Sequence, residues 1–180
     1  GSNFRRGIIS ATVEAASWLG TLRADAAVFE VDEGHSPLLA KDLKPDALVV
    51  LNIFRDQLDR YGELDSATSK IKRAASYAKQ LVINSDDPGL AEILRIKQKE
   101  SLIEFGSSVN LQKQLPHDAM LHNQTIKLVD HNPRVKLTAV SAKGLSQHLT
   151  IDIAGKPYKL KTKLEGIHNA VNLSAVLATC

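Results

Sequence analysis

Apolar positions along this chain fall first into short blocks and later into alternation. Ala47 to Leu51 is a continuous apolar run, led in by Pro45-Asp46 and stopped at Asn52. A run of that length, rich in Val and Leu, suits a strand buried on both faces of a parallel sheet. Asp25–Val31 reads as an earlier strand, and Gln80–Ile83 and Ser101–Phe105 as later ones. Between them the spacing turns helical. Gly7–Leu19 sets Ile8, Ile9, Val13, Ala16, Trp18 and Leu19 toward one face, with Gly20 as the stop. Ser36–Leu43 is a short helix ended by Pro45. Ser66–Lys79 offers Ile71, Ala74, Ala75 and Ala78 for packing, with Lys70, Lys72, Arg73 and Lys79 on its polar side. Pro88 fits the first position of a helix running to about Ile96. Asp25–Val31, Ser36–Leu43 and Ala47–Leu51 together predict a strand–helix–strand unit with a right-handed crossover.

After Gly106 the period changes. Thr125–Val129, Val135–Val140, His148–Ile153 and Tyr158–Leu164 are short, alternating and bounded by turn residues, and Ala154-Gly155-Lys156-Pro157 reads as the bend of an antiparallel hairpin. A last helix runs from the Leu164–Asn172 stretch through Ala178. The expected fold is α/β, a mostly parallel sheet with flanking helices plus a small antiparallel β-rich subregion. Residues 1–106 form the α/β core, 107–164 the β-rich subregion, and 165–180 the start of a returning helix. The sequence reads as cut at both ends, opening on Gly1-Ser2-Asn3 without an initiator Met and stopping at Cys180 inside a helical pattern.

Composition narrows the classes of function. A net charge of +3 and only four Phe, three Tyr and one Trp argue against a nucleic-acid surface of basic and stacking groups. The single cysteine, Cys180, leaves no internal disulfide and no cysteine-based zinc site, and favours a reducing compartment. No apolar run has the length of a membrane span, and the opening residues do not form a signal peptide. The expectation is a cytoplasmic protein with no nucleic-acid partner, no transmembrane segment and no zinc.

Candidate chemistry gathers where strands stop. The Asp25–Val31 strand ends among Glu30, Asp32 and Glu33; clustered carboxylates there can hold Mg²⁺, or they can form a solvated acidic turn before the helix near His35 and Ser36. After Leu51 come Asn52, Arg55, Asp56, Gln57, Asp59, Arg60, Tyr61 and Glu63. Asp56 or Asp59 can orient a metal-bound water and Arg60 can neutralise phosphate oxygens, or the stretch is a salt-linked loop. Gln80–Ile83 runs into Asn84-Ser85-Asp86-Asp87. Open α/β sheets bind ligands outside the carboxyl ends of their strands. At the last helix, Gly166-Ile167-His168-Asn169 and Asn172 put two amides on one turn, either as a cap or as a purine or ribose contact.

Asn52–Asp65 (NIFRDQLDRYGELD), with Glu30-Val31-Asp32-Glu33 before it and Gly166-Ile167-His168-Asn169 after it, resembles the central domain of the Mur ligase superfamily, and within it the branch of ligase-like subunits of lipid II isoglutaminyl synthase, MurT. The resemblance implies binding of ATP and Mg²⁺ and activation of a carboxylate as an acyl phosphate. In that branch the carboxylate belongs to the glutamate of the lipid II stem peptide. Ammonia from a GatD-type glutamine amidotransferase partner converts it to isoglutamine. It also implies Glu30 as a magnesium-associated acid, and Gln57 in the place where amino-acid-adding relatives carry a metal-associated histidine. Lys70, with Lys72 as the alternative, lies near a lysine carbamylated in many relatives. Asn84, His168, Asn169 and Asn172 fall on nucleotide-facing elements. Three departures go with it. The Gly-rich loop ending Gly-Lys-Thr and the carboxyl-terminal domain are not in this sequence, and the region from Gly106 to Ala142 holds none of the four cysteines of the branch's zinc ribbon. The segment alone is therefore expected to be catalytically silent. The alternatives are an amino-acid-adding Mur ligase or folylpolyglutamate synthase-like enzyme, and a non-catalytic domain that lost its phosphate loop.

Overall fold

The computed structural model describes residues 5–22, 24–53, 62–96, 99–115, 128 and 130–180. Six strands form one sheet in the order β1-β2-β3-β4-β5-β6: β1 (Ala47–Val50), β2 (Gln80–Asn84), β3 (Leu102–Ser107), β4 (Val135–Lys143), β5 (Ser146–Ile153) and β6 (Lys156–Thr162). The first four run parallel, and β5 and β6 are antiparallel additions. Among the described residues the helices are α1 (Arg5–Ala15), α2 (Ser36–Leu43), α3 (Gly62–Ala75), the single turn α4 (Val109–Gln112) and α5 (Ile167–Thr179). The expected α/β fold with a mostly parallel sheet is what forms. The antiparallel trio is continuous with the parallel part, because β4 pairs with β3.

Both faces of β2 are covered, which is why it reads as an unbroken apolar run. By contrast β1, expected to be buried on both faces, lies at the sheet edge, with Val50 buried and Val49 38% exposed. In β2 the pleat sends Leu81 and Ile83 toward α3, in a cluster with Val50, Ile71, Ala75, Leu90 and Ile93. Val82 goes the other way, into the cluster where Ala170, Val171, Ala175 and Ala178 of α5 meet Ile103, Phe105, Val135, Leu137, Leu149 and Ile151. The small residues of α5 let it lie close on the sheet, and Phe105, Leu137 and Ile151 are fully buried beneath it.

Several boundaries differ from the sequence reading. Asp25–Val31 is not a strand: it belongs to no ladder, and Val28 is 96% exposed. Apolar content selects a strand only where a neighbouring edge supplies hydrogen bonds, and among the described residues β1 pairs with β2 alone. The strand–helix–strand unit thus reduces to α2 followed by β1. Helix α1 ends at Ala15, before Gly20, and Ala16 instead makes an isolated bridge to Leu22. Helix α3 begins at Gly62, so the end of the polar stretch is helical, and it stops at Ala75. Pro88–Ile96 is two 3-10 turns, Pro88–Leu90 and Ile93–Arg95. Glycine at 89 disfavours continuous helix, and the Asp87 side chain draws the Gly89 amide into a tight turn. Gly106 lies inside β3, one residue before its end. The β5–β6 bend is Ala154-Gly155, with Lys156 and Pro157 already in β6. Of the Thr125–Val129 strand only Leu128 is described, and it is not in a strand.

Candidate functional site

The register brings three strand ends to one side. Val50 lies opposite Ile83, and Asn84 opposite Phe105. Asn52-Ile53, Asn84 to Asp87 and Ser107-Ser108 thus share a rim at the carboxyl edge of β1–β3. Helix α5 begins on the same side: β6 runs parallel to β4, its Thr162 lies opposite Gln147 and hence Ala142, and the chain turns back after it at Gly166. The amino-terminal turn of α5, with His168 and Asn169, therefore starts beyond the rim and descends along the sheet.

Carboxylates and amides brace this rim. Asp86, immediately beyond β2, accepts from the backbone N–H of Ser107 at 2.7 Å, from its hydroxyl at 2.6 Å, and from Gln112 Nε2 at 3.0 Å. Ser107 and Gln112 are buried, so the acid is tied to β3 and α4 through groups that have left water. A glycine is required where these meet: a Cβ at 106 would stand 2.6 Å from Asp86 Oδ1 and 2.8 Å from Ser85 Oγ. Asp87 points the other way and accepts from the amides of Ile53 at 2.7 Å and Gly89 at 2.8 Å. It pins the first residues of the Asn52–Asp65 stretch to the end of β2. Asn84 is 8% exposed, and its Oδ1 accepts from the Asp86 amide at 3.0 Å.

On α5, Gly166 adopts φ 92° and ψ 146°. A Cβ there would lie 2.6 Å from His168 Cε1, so the glycine makes room for the imidazole to fold back over the helix start. Asn169 Nδ2 donates to the Glu165 carbonyl at 2.6 Å, which closes the first turn. Asn172, three residues on and on the same face, is exposed. The two asparagines therefore differ: one fastens the helix start, and the other presents its amide outward.

The remaining expected residues divide. Glu30 lies exposed in the unpaired stretch before α2. Asp32 folds onto the turn just before that helix, accepting from the His35 amide at 2.9 Å and lying 2.8 Å from His35 Nδ1. Burial pushes the Asp32 carboxyl up, but the hydrogen bonds and charge of His35 outweigh it and hold the group below its ordinary value. No group of three His, Cys, Asp or Glu side chains converges among the described residues, so Glu30, Asp32 and Glu33 do not form a cage together. Lys70 is exposed on α3. The alternative, Lys72, is engaged by Glu92 at 2.6 Å, and its hydrogen bond and charge hold the Glu92 carboxyl below its ordinary value. Asp56, Gln57 and Arg60 lie outside the described residues. Sequence reasoning missed Ser107 and Gln112; the signal was the pair of serines following Gly106 at a strand end opposite two consecutive acids. An open cleft of about 640 Å³ sits beside the rim, lined by Ser108, Asn110, Asp130, Arg134, Lys136 and Asp152 among others. It includes neither Asn84 nor His168, and the rim residues are the better candidates because their chemistry is assembled by the strand ends.

Residues 13–180 match the Mur ligase middle domain. The chain belongs to that family. Over 94 residues this Mur ligase domain is 36% identical to the "Lipid II isoglutaminyl synthase (glutamine-hydrolyzing) subunit MurT" of Staphylococcus aureus (strain COL), covering 52% of this chain and 21% of the relative. Over 158 residues it is 25% identical to the UDP-N-acetylmuramate--L-alanine ligase of Thermobifida fusca (strain YX), covering 86% of this chain and 28% of the relative. Among solved structures, MurF from Acinetobacter baumannii shares the fold with a TM-score of 0.62 at 18% identity, over 85% of this chain and 30% of that one. The Mur ligase domain thus spans less than a third of each relative.

The described side chains suit a nucleotide. Asn172 offers a donor and an acceptor, and His168 a second ring polar group, on the outward side of the helix that starts at the rim. A Mg²⁺ held mainly by phosphate and water needs only one or two carboxylates from protein, and Glu30 is an exposed carboxylate in the unpaired stretch before α2.

Proposed function

We propose that this Mur ligase domain is the ATP- and Mg²⁺-using centre of a MurT-type subunit. That subunit activates the glutamate carboxylate of a lipid II stem peptide for amidation to isoglutamine. Ammonia would come from a GatD-type glutamine amidotransferase, in the cytoplasm. The observation that carries the reading is the similarity to MurT, together with the anchored entry to the Asn52–Asp65 stretch, where Asp87 at the end of β2 accepts from the Ile53 amide.

In this reading each group has a task. Asn84, held by the Asp86 amide, and Asn172 contact the nucleotide, and His168 and Asn169 shape the helix start against it. Glu30 and Gln57 would hold Mg²⁺. Asp56 orients the reacting groups. Arg60 and Lys70 offset negative charge on the transferring phosphoryl oxygens, where fixed positive groups lower the barrier. Bound Mg²⁺ would supply charge neutralisation at those oxygens. The substrate carboxylate takes up the phosphoryl group and ammonia then displaces phosphate, forming the amide.

The full-length protein, mixed with its amidotransferase or with ammonium chloride, ATP, Mg²⁺ and a glutamate-containing stem peptide, is expected to release ADP. The peptide product should be lighter than the starting acid by the difference between a hydroxyl and an amino group. ADP release that depends on an added amino acid and ignores ammonium would replace this reading with that of an amino-acid-adding ligase, which the longer match to the L-alanine ligase makes the natural second outcome. The 180-residue segment alone is expected to show no turnover.

A further inference from the structure

The antiparallel strands turn one face to α5 and the other to water. Gln147, Leu149 and Ile151 of β5 are buried, so alternation places Ser146, His148 and Thr150 on the outer face. The register sets Lys143 of β4 opposite Ser146, Lys161 of β6 opposite His148, and Lys159 opposite Thr150. These three lysines share the outer face and are exposed, as is Lys163 just past the end of β6. None of the four makes an ion pair among the described residues.

Lys143, Lys161 and Lys163 lie at one end, where two leucines stand in water. Leu145, in the β4–β5 turn, is 86% exposed, and Leu164, following Lys163, is 51% exposed. The turn does not require a leucine: its positive φ of 60° falls on Gly144, and a two-residue turn with glycine at its first position accepts polar residues at its second. This end also has a definite place. Leu137 of β4 lies opposite Ser107, the last residue of β3, and β4 continues to Lys143. At the usual strand rise the tip stands roughly 20 Å beyond the rim of β1–β3. It is on the side where the candidate site lies.

We propose that this end of the sheet is a membrane-contact tip. Leu145 and Leu164 enter the headgroup layer of an anionic phospholipid surface, and Lys143, Lys161 and Lys163 face its phosphates. The proposal rests on the reading that the substrate is lipid-linked, since such a substrate presents its peptide just above a bilayer. Charge complementarity selects the occupant. Lysines act as unoriented point charges suited to a fluid layer of headgroups, whereas nucleic acid is usually met by arginines and stacking aromatics. No Phe, Tyr or Trp lies among the outer-face positions of these strands: Tyr158 pairs with the inward-facing Ile151. One apolar signal or one basic cluster alone gives weak adsorption, and the two together give stable, reversible binding.

The test is co-sedimentation of the full-length protein with vesicles of phosphatidylglycerol mixed into phosphatidylcholine, against phosphatidylcholine alone, without ATP or substrate. Partition onto the anionic vesicles is expected, weakening as salt rises. Leu145→Ser should lower it about tenfold. Replacing Lys143, Lys161 and Lys163 with Gln should lower it about fivefold per charge. Both variants should keep wild-type turnover on a water-soluble stem peptide, which shows that they fold. Equal partition onto both vesicle types overturns the proposal. So does partition sensitive to the lysines and indifferent to Leu145, the mark of general polyanion binding. Amidation of the soluble peptide without vesicle binding removes the tip and spares the proposed reaction, and vesicle binding without amidation does the reverse.

Discussion

The backbone N–H of Ile53 donates to Asp87 Oδ2 at 2.7 Å, across thirty-four positions of sequence. The same carboxylate caps the turn at Gly89 through its other oxygen. One acid thus fixes both the exit of β1 and the exit of β2. Asp87→Ala leaves two amides without this acceptor, and bonds to a charged acceptor are worth about 1.5–3 kcal/mol each. The loss on urea unfolding should be about 2 kcal/mol, because partly exposed amides can turn to water. Asp87→Asn retains one acceptor oxygen and should lose about half as much. In the full-length protein both should lower ADP release by more than their stability loss explains, since the Asn52–Asp65 stretch loses its anchor.

Asp86 is the counterpart on the inner side. It accepts from Ser107 twice and from the side chain of Gln112, and these donors are buried. Asp86→Ala should cost about 3 kcal/mol, since buried donors left without an acceptor carry their full desolvation penalty. Gly106→Ala tests the same spot by crowding. Its Cβ would press on Asp86 Oδ1 at 2.6 Å, and overpacking of this kind costs about 1–3 kcal/mol. Chemical denaturation of the two variants measures both effects. If Gly106→Ala melts like wild type, Asp86 is not held where the structure places it.

The parallel half was legible because its code is local. A strand buried on both faces must be apolar throughout, as Leu81–Ile83 is. Both Ala47–Val50, where Val49 stays partly exposed, and Gln80–Asn84 are bounded within a residue or so by the polar groups that form the rim. What could not be read was pairing. Asp25–Val31 has a strand's composition and no ladder, whereas Val135 reads as the start of a separate β-rich unit and extends the main sheet beside Phe105. Neither outcome is written in the segment itself, because hydrogen-bond partners belong to distant chain. The site divides in the same way. Asn84, His168, Asn169 and Asn172 stand out in sequence as punctuation at element ends. The Asp86–Ser107–Gln112 network does not, since it joins three segments whose spacing carries no period.

Asp32 predicts a pH dependence. His35 holds the Asp32 carboxyl below the ordinary value of 3.8, against the upward push of burial. A carboxylate whose pKa is lower in the folded than in the unfolded protein stabilises the fold above the unfolded value, and that contribution is lost as pH falls through the folded value. Wild type should therefore melt above Asp32→Asn near pH 6, and the gap should close below pH 3.8. The gap should be small, because the Asp32 side chain is 36% exposed and its pairing is screened by water. Thermal melts of both proteins across that range measure it, and a gap that widens toward acid would contradict the assigned direction.

Asn169 and Asn172 should separate stability from binding. Asn169 Nδ2 bonds the Glu165 carbonyl at 2.6 Å within the opening turn of α5, whereas Asn172 is exposed and its amide has no hydrogen-bond partner among the described residues. Asn169→Ala removes a local bond worth about 1 kcal/mol, so its melting temperature should fall and its nucleotide affinity with it. Asn172→Ala removes an outward amide, which should leave the melt unchanged and weaken nucleotide binding by the full-length protein about tenfold, the usual scale for one lost neutral hydrogen bond in a binding site. Isothermal titration with a non-hydrolysable ATP analogue and Mg²⁺, run beside thermal melts, reads both quantities. Wild-type affinity in Asn172→Ala would remove the outward face of α5 from the nucleotide site, whatever Asn169→Ala does.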